Sequence, residues 1–274
     1  MFFGRPDPQK TGLSRPKIKD GSYAGAYAFR GCLRASIRGG SFTGQYVFYG
    51  AKSPEISGGQ FTTDFSFYAA ENPRVSGGLF AGKMAFYGAS SPLVDGGEFT
   101  GQWSFCESQG ASIGAGQFPG EGALSEAVKA TVIGGTFNGP DFGITSRQMV
   151  VKGGEFSGPG FLKFSQNALV LGGRISGEAS LENARNIALL TDGAIREIRN
   201  PLSGIIVARK IGRIVFDNGK PPDVIIISES VDEGAAYADR IEAGCVPAAS
   251  FELGPALKAL QALSDAVRRD KQEK

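Results

Sequence analysis

Glycine recurs every nineteenth residue at Gly21, Gly40, Gly59, Gly78, Gly97, Gly116, Gly135, Gly154 and Gly173. Two places after each stands an aromatic or, at the end, isoleucine: Tyr23, Phe42, Phe61, Phe80, Phe99, Phe118, Phe137, Phe156 and Ile175. Three places before each stands Ile or Val, from Ile18 through Val170. A fixed period of this length means stacked coils, because one coil cannot bury its own apolar face.

The coil at residues 37–55, IRGGSFTGQYVFYGAKSPE, shows the expected path. Ile37 points inward, Gly39–Gly40 turns, Phe42 points inward, and Gly44 turns again. QYVFY then alternates with the period of a strand, which places Tyr46 and Phe48 inward and Val47 and Tyr49 outward. Two inner aromatic ladders follow. One runs Phe29, Phe48, Phe67, Phe86, Phe105, Leu124; the other runs Tyr27, Tyr46, Phe65, Met84, Trp103. Beyond Trp103 the second ladder fails, and Phe142 and Phe161 one place later suggest a local bulge or register adjustment.

Leucine-rich repeats require an LxxLxL strand that is missing, and left-handed hexapeptide helices need a period divisible by six. Parallel crossovers are right-handed in nearly all cases. The expected fold is all-β: a single-stranded right-handed parallel β-helix with 19-residue coils and a C-terminal α-helix. The expected divisions are a lead-in at 1–17, nine coils over 18–188, irregular terminal coils over 189–230, a linker over 231–254 and a helix over 255–274. The frame slips by one residue at 190–193, LTDG. Leu257, Leu260, Leu263 and Val267 share one face of the terminal helix, which is expected to cover the solenoid's end or side.

Formal charge is +2, from 29 basic and 27 acidic residues, a balance that offers no overall attraction to nucleic acid or anionic membrane. Cys32, Cys106 and Cys245 lie far apart and read as free thiols of a reducing compartment. Arg5 and Pro6 interrupt MFFGRPDPQK where a signal peptide needs an apolar run, and no stretch is long enough for a membrane span. A cytoplasmic protein is expected.

Residues 195–217 include Asn200, Pro201, Ser203, Gly204, Ile206 and Ala208, then Ile211, Gly212, Ile214, Val215 and Asp217. This pattern resembles an uncharacterised, mostly bacterial family of right-handed β-helix proteins, as does Phe142-Gly143-Ile144-Thr145-Ser146. That family's coils usually carry Asn-Cys where this chain has Gly-Gly. The resemblance implies a fold shared with the pectin-lyase-like superfamily and implies no activity.

The candidate chemistry is sparse. The chain has no histidine, which removes the commonest general base. Glu107 and Glu126, one period apart at a corner, are the best stacked acidic pair, with Glu121 nearby in sequence. Asp95 and Glu98 flank a glycine corner, and Asp64 stacks between Gln45 and Lys83. Solvated corner carboxylates account for all of them. No metal or phosphate-loop spacing is present, so no cofactor and no metal are expected. Tyr49, Tyr68 and Tyr87 form an outward ladder that ends at Cys106, and exposed aromatic strips mark interaction surfaces. The leading function is a non-enzymatic structural scaffold or binding protein, with this face as the place for a carbohydrate or protein ligand. The alternatives are a polysaccharide lyase or glycoside hydrolase, and a homo-oligomeric assembly protein.

Overall fold

The nineteen-residue period acts as a pairing rule. In the computed structural model, which describes residues 12–218 and 223–233, each coil pairs in parallel with the coil nineteen residues away. One ladder joins Ile18, Ile37, Ile56, Val75, Val94, Ile113, Val132, Val151, Val170 and Leu189. A second, across the Gly-Gly corner, joins Tyr23, Phe42, Phe61, Phe80 and Phe99, and resumes from Phe118 through Phe137 and Phe156 to Ile175. A third consists of single bridges from Ser14 through Leu33, Lys52 and Glu71 to Arg185. The result is an all-β parallel solenoid of about 11 turns.

The corner glycine holds φ between +99° and +132° in all nine coils, a backbone state that L side chains rarely enter. That corner aims the preceding Ile or Val and the following Phe into one interior. Phe42, Phe61, Phe80, Phe99, Phe118, Phe137 and Phe156 stack with ring centroids 4.5–5.0 Å apart. Phe29, Phe48, Phe67, Phe86 and Phe105 form a second stack at 4.7–5.0 Å, and the two stacks meet edge to face. Each buried ring contributes about 1.5–3 kcal/mol by burial, and each ring pair about 0.5–1.5 kcal/mol more.

The third side of the coil departs from the period-2 expectation. Val47 and Phe48 are both buried, while Tyr46 and Tyr49 both face outward. QYVFY is not a strand but part of two successive β-turns: the Tyr49 N–H donates to the Tyr46 carbonyl, and Ala51 N–H to that of Phe48, each at 3.1 Å. Positive φ at Tyr46 (+55°) and Gly50 (+61°) breaks the alternation. Neighbouring coils still bond through these turns, as where Phe48 N–H donates to the Ser66 carbonyl at 2.8 Å. The ladder Tyr27, Tyr46, Phe65, Met84, Trp103, expected inside, therefore runs along the outside.

The expected bulge near Phe142 is likewise not there. Phe142 and Phe161 occupy the column of Val47, which faces inward, and the single-residue bridges keep their spacing from Val128 through Arg147 to Gln166. Gly143 stands in the Phe105 column, where a Cβ would come within 2.8 Å of Leu162 Cδ2. The core aromatic has moved one column over without any change of frame.

The slip at 190–193 is visible as a register shift between Thr191 and Ala194: Val170 pairs with Leu189, but Ile175 pairs with Ile195. Beyond it the strands lengthen to Ile187–Arg199, Gly204–Val215 and Val224–Glu233. The Asn200–Gly204 stretch builds corners here. Asp217 N–H donates to Asn200 Oδ1 at 2.7 Å, and Asn186 N–H donates to the Ser203 hydroxyl at 2.8 Å. The last strand runs to Glu233, into the stretch read as linker. The rest of that stretch, the 255–274 helix and residues 1–11 lie outside the described residues. Among the described residues there is no helix, and none long and apolar enough to cross a membrane.

Candidate functional site: an outward aromatic strip

Tyr49, Tyr68 and Tyr87 stack on the turn face with centroids 5.3 Å apart and planes within 16°. They do not stand alone. Tyr27, Tyr46 and Phe65 form a parallel column at 5.2–5.3 Å, and the two columns interlock edge to face at 5.8–6.3 Å. Six rings over four coils make one continuous strip, and Met84 and Trp103 continue the Tyr27 column beyond it. Most of its rings are half-buried, and Tyr27 at its start is 46% exposed.

Both ends of the strip carry charge. The Arg30 guanidinium lies over Tyr49 at 5.3 Å and over Tyr27 at 5.9 Å, a contact that favours cations on aromatic faces. At the other end the Tyr87 hydroxyl donates a hydrogen bond to Glu107 Oε1. That bond first, and desolvation second, push the Tyr87 hydroxyl above the ordinary phenol value. The column then stops for steric reasons: Gly122 succeeds Trp103, and a Cβ there would lie 2.2 Å from Trp103 Cδ1.

The strip is held by backbone conformations that bulky residues rarely adopt. Tyr27, Tyr46, Phe65, Met84 and Trp103 have φ of +57°, +55°, +57°, +52° and +55°. Such residues cost of order 1–3 kcal/mol each, and five consecutive coils keep them.

Glu107 and Glu126 are exposed and occupy the corner column of Gly31, Gly50, Ala69 and Gly88, each at φ +55°. Glu107 is engaged by Tyr87, and Glu121 accepts from Gln102 Nε2 at 2.9 Å. Asp64 Oδ1 accepts the Lys83 backbone N–H at 2.8 Å, a bond between coils. Asp95 and Glu98 lie exposed on either side of the Gly96–Gly97 corner. Among the described residues no group of three or more Cys, Asp or Glu side chains is placed to hold a metal ion.

The two described cysteines are buried thiols. Desolvation raises Cys32 to about 12. Cys106 is raised to about 12 by desolvation and then by the Glu126 and Glu107 charges. Since the thiolate is the reactive form, both stay unmodified when the folded protein is treated with a thiol reagent at neutral pH. Peptide mapping checks this, and rapid labelling of either residue contradicts it.

Sequence reasoning found the Tyr49 column but missed Tyr46, Phe65 and Arg30, because an alternating pattern hides a turn. The available signal was Gly50, whose positive φ closes that turn. No protein-family model matches the chain, and no curated protein or solved structure matches it either.

Proposed function

We propose that the protein is a non-enzymatic β-solenoid scaffold that binds an extended ligand, a glycan chain or a partner protein, along its aromatic strip. The observation that carries this reading is the six-ring strip itself, one column of which, Tyr27, Tyr46 and Phe65, sits at positive φ in coil after coil. Contiguous exposed apolar surface is uncommon on monomers unless it binds something. The reading also takes the solenoid as right-handed and, through Asn200-Pro201-x-Ser203-Gly204, as akin in fold to the pectin-lyase-like superfamily.

An enzymatic reading rests on one feature, the pair Glu107 and Glu126 on adjacent coils beside the strip. Hydrolysis would assign them as acid and base or nucleophile.

One experiment separates the two. A panel of neutral and acidic polysaccharides is screened for retention of the protein and for release of new reducing ends. Retention without release is expected. Changing Tyr49, Tyr68 and Tyr87 together to Ser lowers retention at least about tenfold, as loss of anchor aromatics does elsewhere, with the far-UV spectrum unchanged. Unaltered retention in that variant removes the strip from the function. Turnover that Glu107→Gln abolishes replaces the scaffold with an enzyme.

A further inference from the structure

Away from the strip, charge is unevenly placed. Besides Arg30 on the strip, residues 12–38 hold five basic side chains and one acidic, against a net +2 for the whole chain. Lys17 and Lys19 flank the buried Ile18 and so project from the outer face; Arg38 follows Lys19 one coil on. Arg15 and Arg34 occupy successive corners at φ +55° and +51°. Arg15, Lys17 and Arg34 line one shallow depression and Lys17, Lys19 and Arg38 the adjoining one. None of these five forms an ion pair among the described residues. The one aspartate, Asp20, accepts the Gly21 N–H at 2.7 Å, and Glu55 is the carboxylate that borders the patch.

The same two coils carry a second, independent feature. Leu13 and Leu33 are 37% and 41% exposed, and apart from Tyr27 of the strip the other large exposed apolar residues described begin only at Ile133. Leu33 directly precedes the Arg34 corner.

We infer that these first two coils form a docking surface for an anionic phospholipid bilayer. Lys and Arg near such a surface each contribute about 1 kcal/mol, while exposed leucines enter the headgroup–acyl boundary. A phosphate polymer would use the cations but gain nothing from Leu13 and Leu33, which is why lipid is favoured over nucleic acid. This is adsorption to the surface and not a span. It is independent of the aromatic-strip reading.

The test sediments the full chain with vesicles of phosphatidylcholine alone and with roughly one-third phosphatidylglycerol, a composition that supplies the negative surface potential. Binding to the anionic vesicles only is expected. Lys17→Gln, Lys19→Gln and Arg38→Gln together lower partitioning about a hundredfold, three contributions of about 1 kcal/mol. Leu33→Ser lowers it further at unchanged charge, and the triple Tyr49, Tyr68, Tyr87 to Ser variant leaves it unaltered. Three results overturn the inference: no sedimentation with anionic vesicles, equal sedimentation with neutral ones, or a Leu13→Ser/Leu33→Ser protein that binds as before while single-stranded RNA displaces it from the vesicles.

Discussion

Replacing Phe80 with alanine lowers stability by about 3–5 kcal/mol, the cost of emptying a large buried aromatic site. Phe80 is fully buried and stacks on Phe61 at 4.8 Å and on Phe99 at 4.7 Å, with Phe86 tilted against it at 5.2 Å. The ring is shared by three coils. Backbone ladders on both sides of the gap hold those coils at fixed spacing, so they cannot close around the cavity. Because a solenoid's stability is a sum of neighbour interfaces, the loss falls on two interfaces at once. Tyr68→Ala removes a ring that stacks as regularly, on Tyr49 and Tyr87 at 5.3 Å, but from the outer face; it costs about 1–3 kcal/mol, two aromatic pairs at about 0.5–1.5 kcal/mol each. Denaturant midpoints of the two variants check both figures. Equal losses would mean that the outer strip is as much a part of the core as the inner stack.

That contrast also marks what the chain reveals before it is folded. The glycine register carries the pairing partners directly, since Gly40, Phe42 and Ile37 each meet their nineteenth neighbour in space. Period and chemistry agree there, because a repeated apolar position can be satisfied only by burial. Direction on the turn side is a different matter. In QYVFY the inward residues Val47 and Phe48 are adjacent, a result of φ +55° at Tyr46, and nothing about tyrosine itself announces that conformation. The Arg15–Lys17–Lys19 and Arg34–Arg38 cluster was hidden for a further reason. Net charge averages over the chain, whereas stacking places residues nineteen apart side by side. Glu107 and Glu126 sit at neighbouring corners, but the hydroxyl that engages Glu107 comes from Tyr87, twenty residues earlier, a contact that a stacking period of nineteen does not announce.

The corner glycines themselves are open to a sharper test, because the repeats supply their own controls. Gly88 has φ +62° and nothing within 4 Å of an added Cβ, and its column already holds Ala69 and Glu107 at +52° and +55°. Gly88→Ala is therefore nearly neutral, within about 1 kcal/mol, since an L residue can reach this region and alanine narrows the unfolded ensemble. Gly97 has φ +102°, outside the left-handed well, so an added Cβ strains the backbone there even though it would meet the Gly78 carbonyl and the Phe99 ring only at ordinary contact distance, 3.4 Å. No coil from Gly21 to Gly173 places any other residue in this column. The neighbouring column is more permissive: Ala115 stands where Gly96 and Gly134 stand, and the following Gly116 turns to φ +132°, the widest of the nine. Accommodation at one corner residue thus draws on the freedom of the next, and Gly97 has no such partner to its C-terminal side, where Glu98 and Phe99 are fixed in the ladder. Gly97→Ala costs about 1–3 kcal/mol of backbone strain, and the denaturant midpoint falls accordingly. A Gly97→Ala protein as stable as Gly88→Ala would show that the period is maintained by packing of the Ile and Phe columns alone, with the corner free to follow.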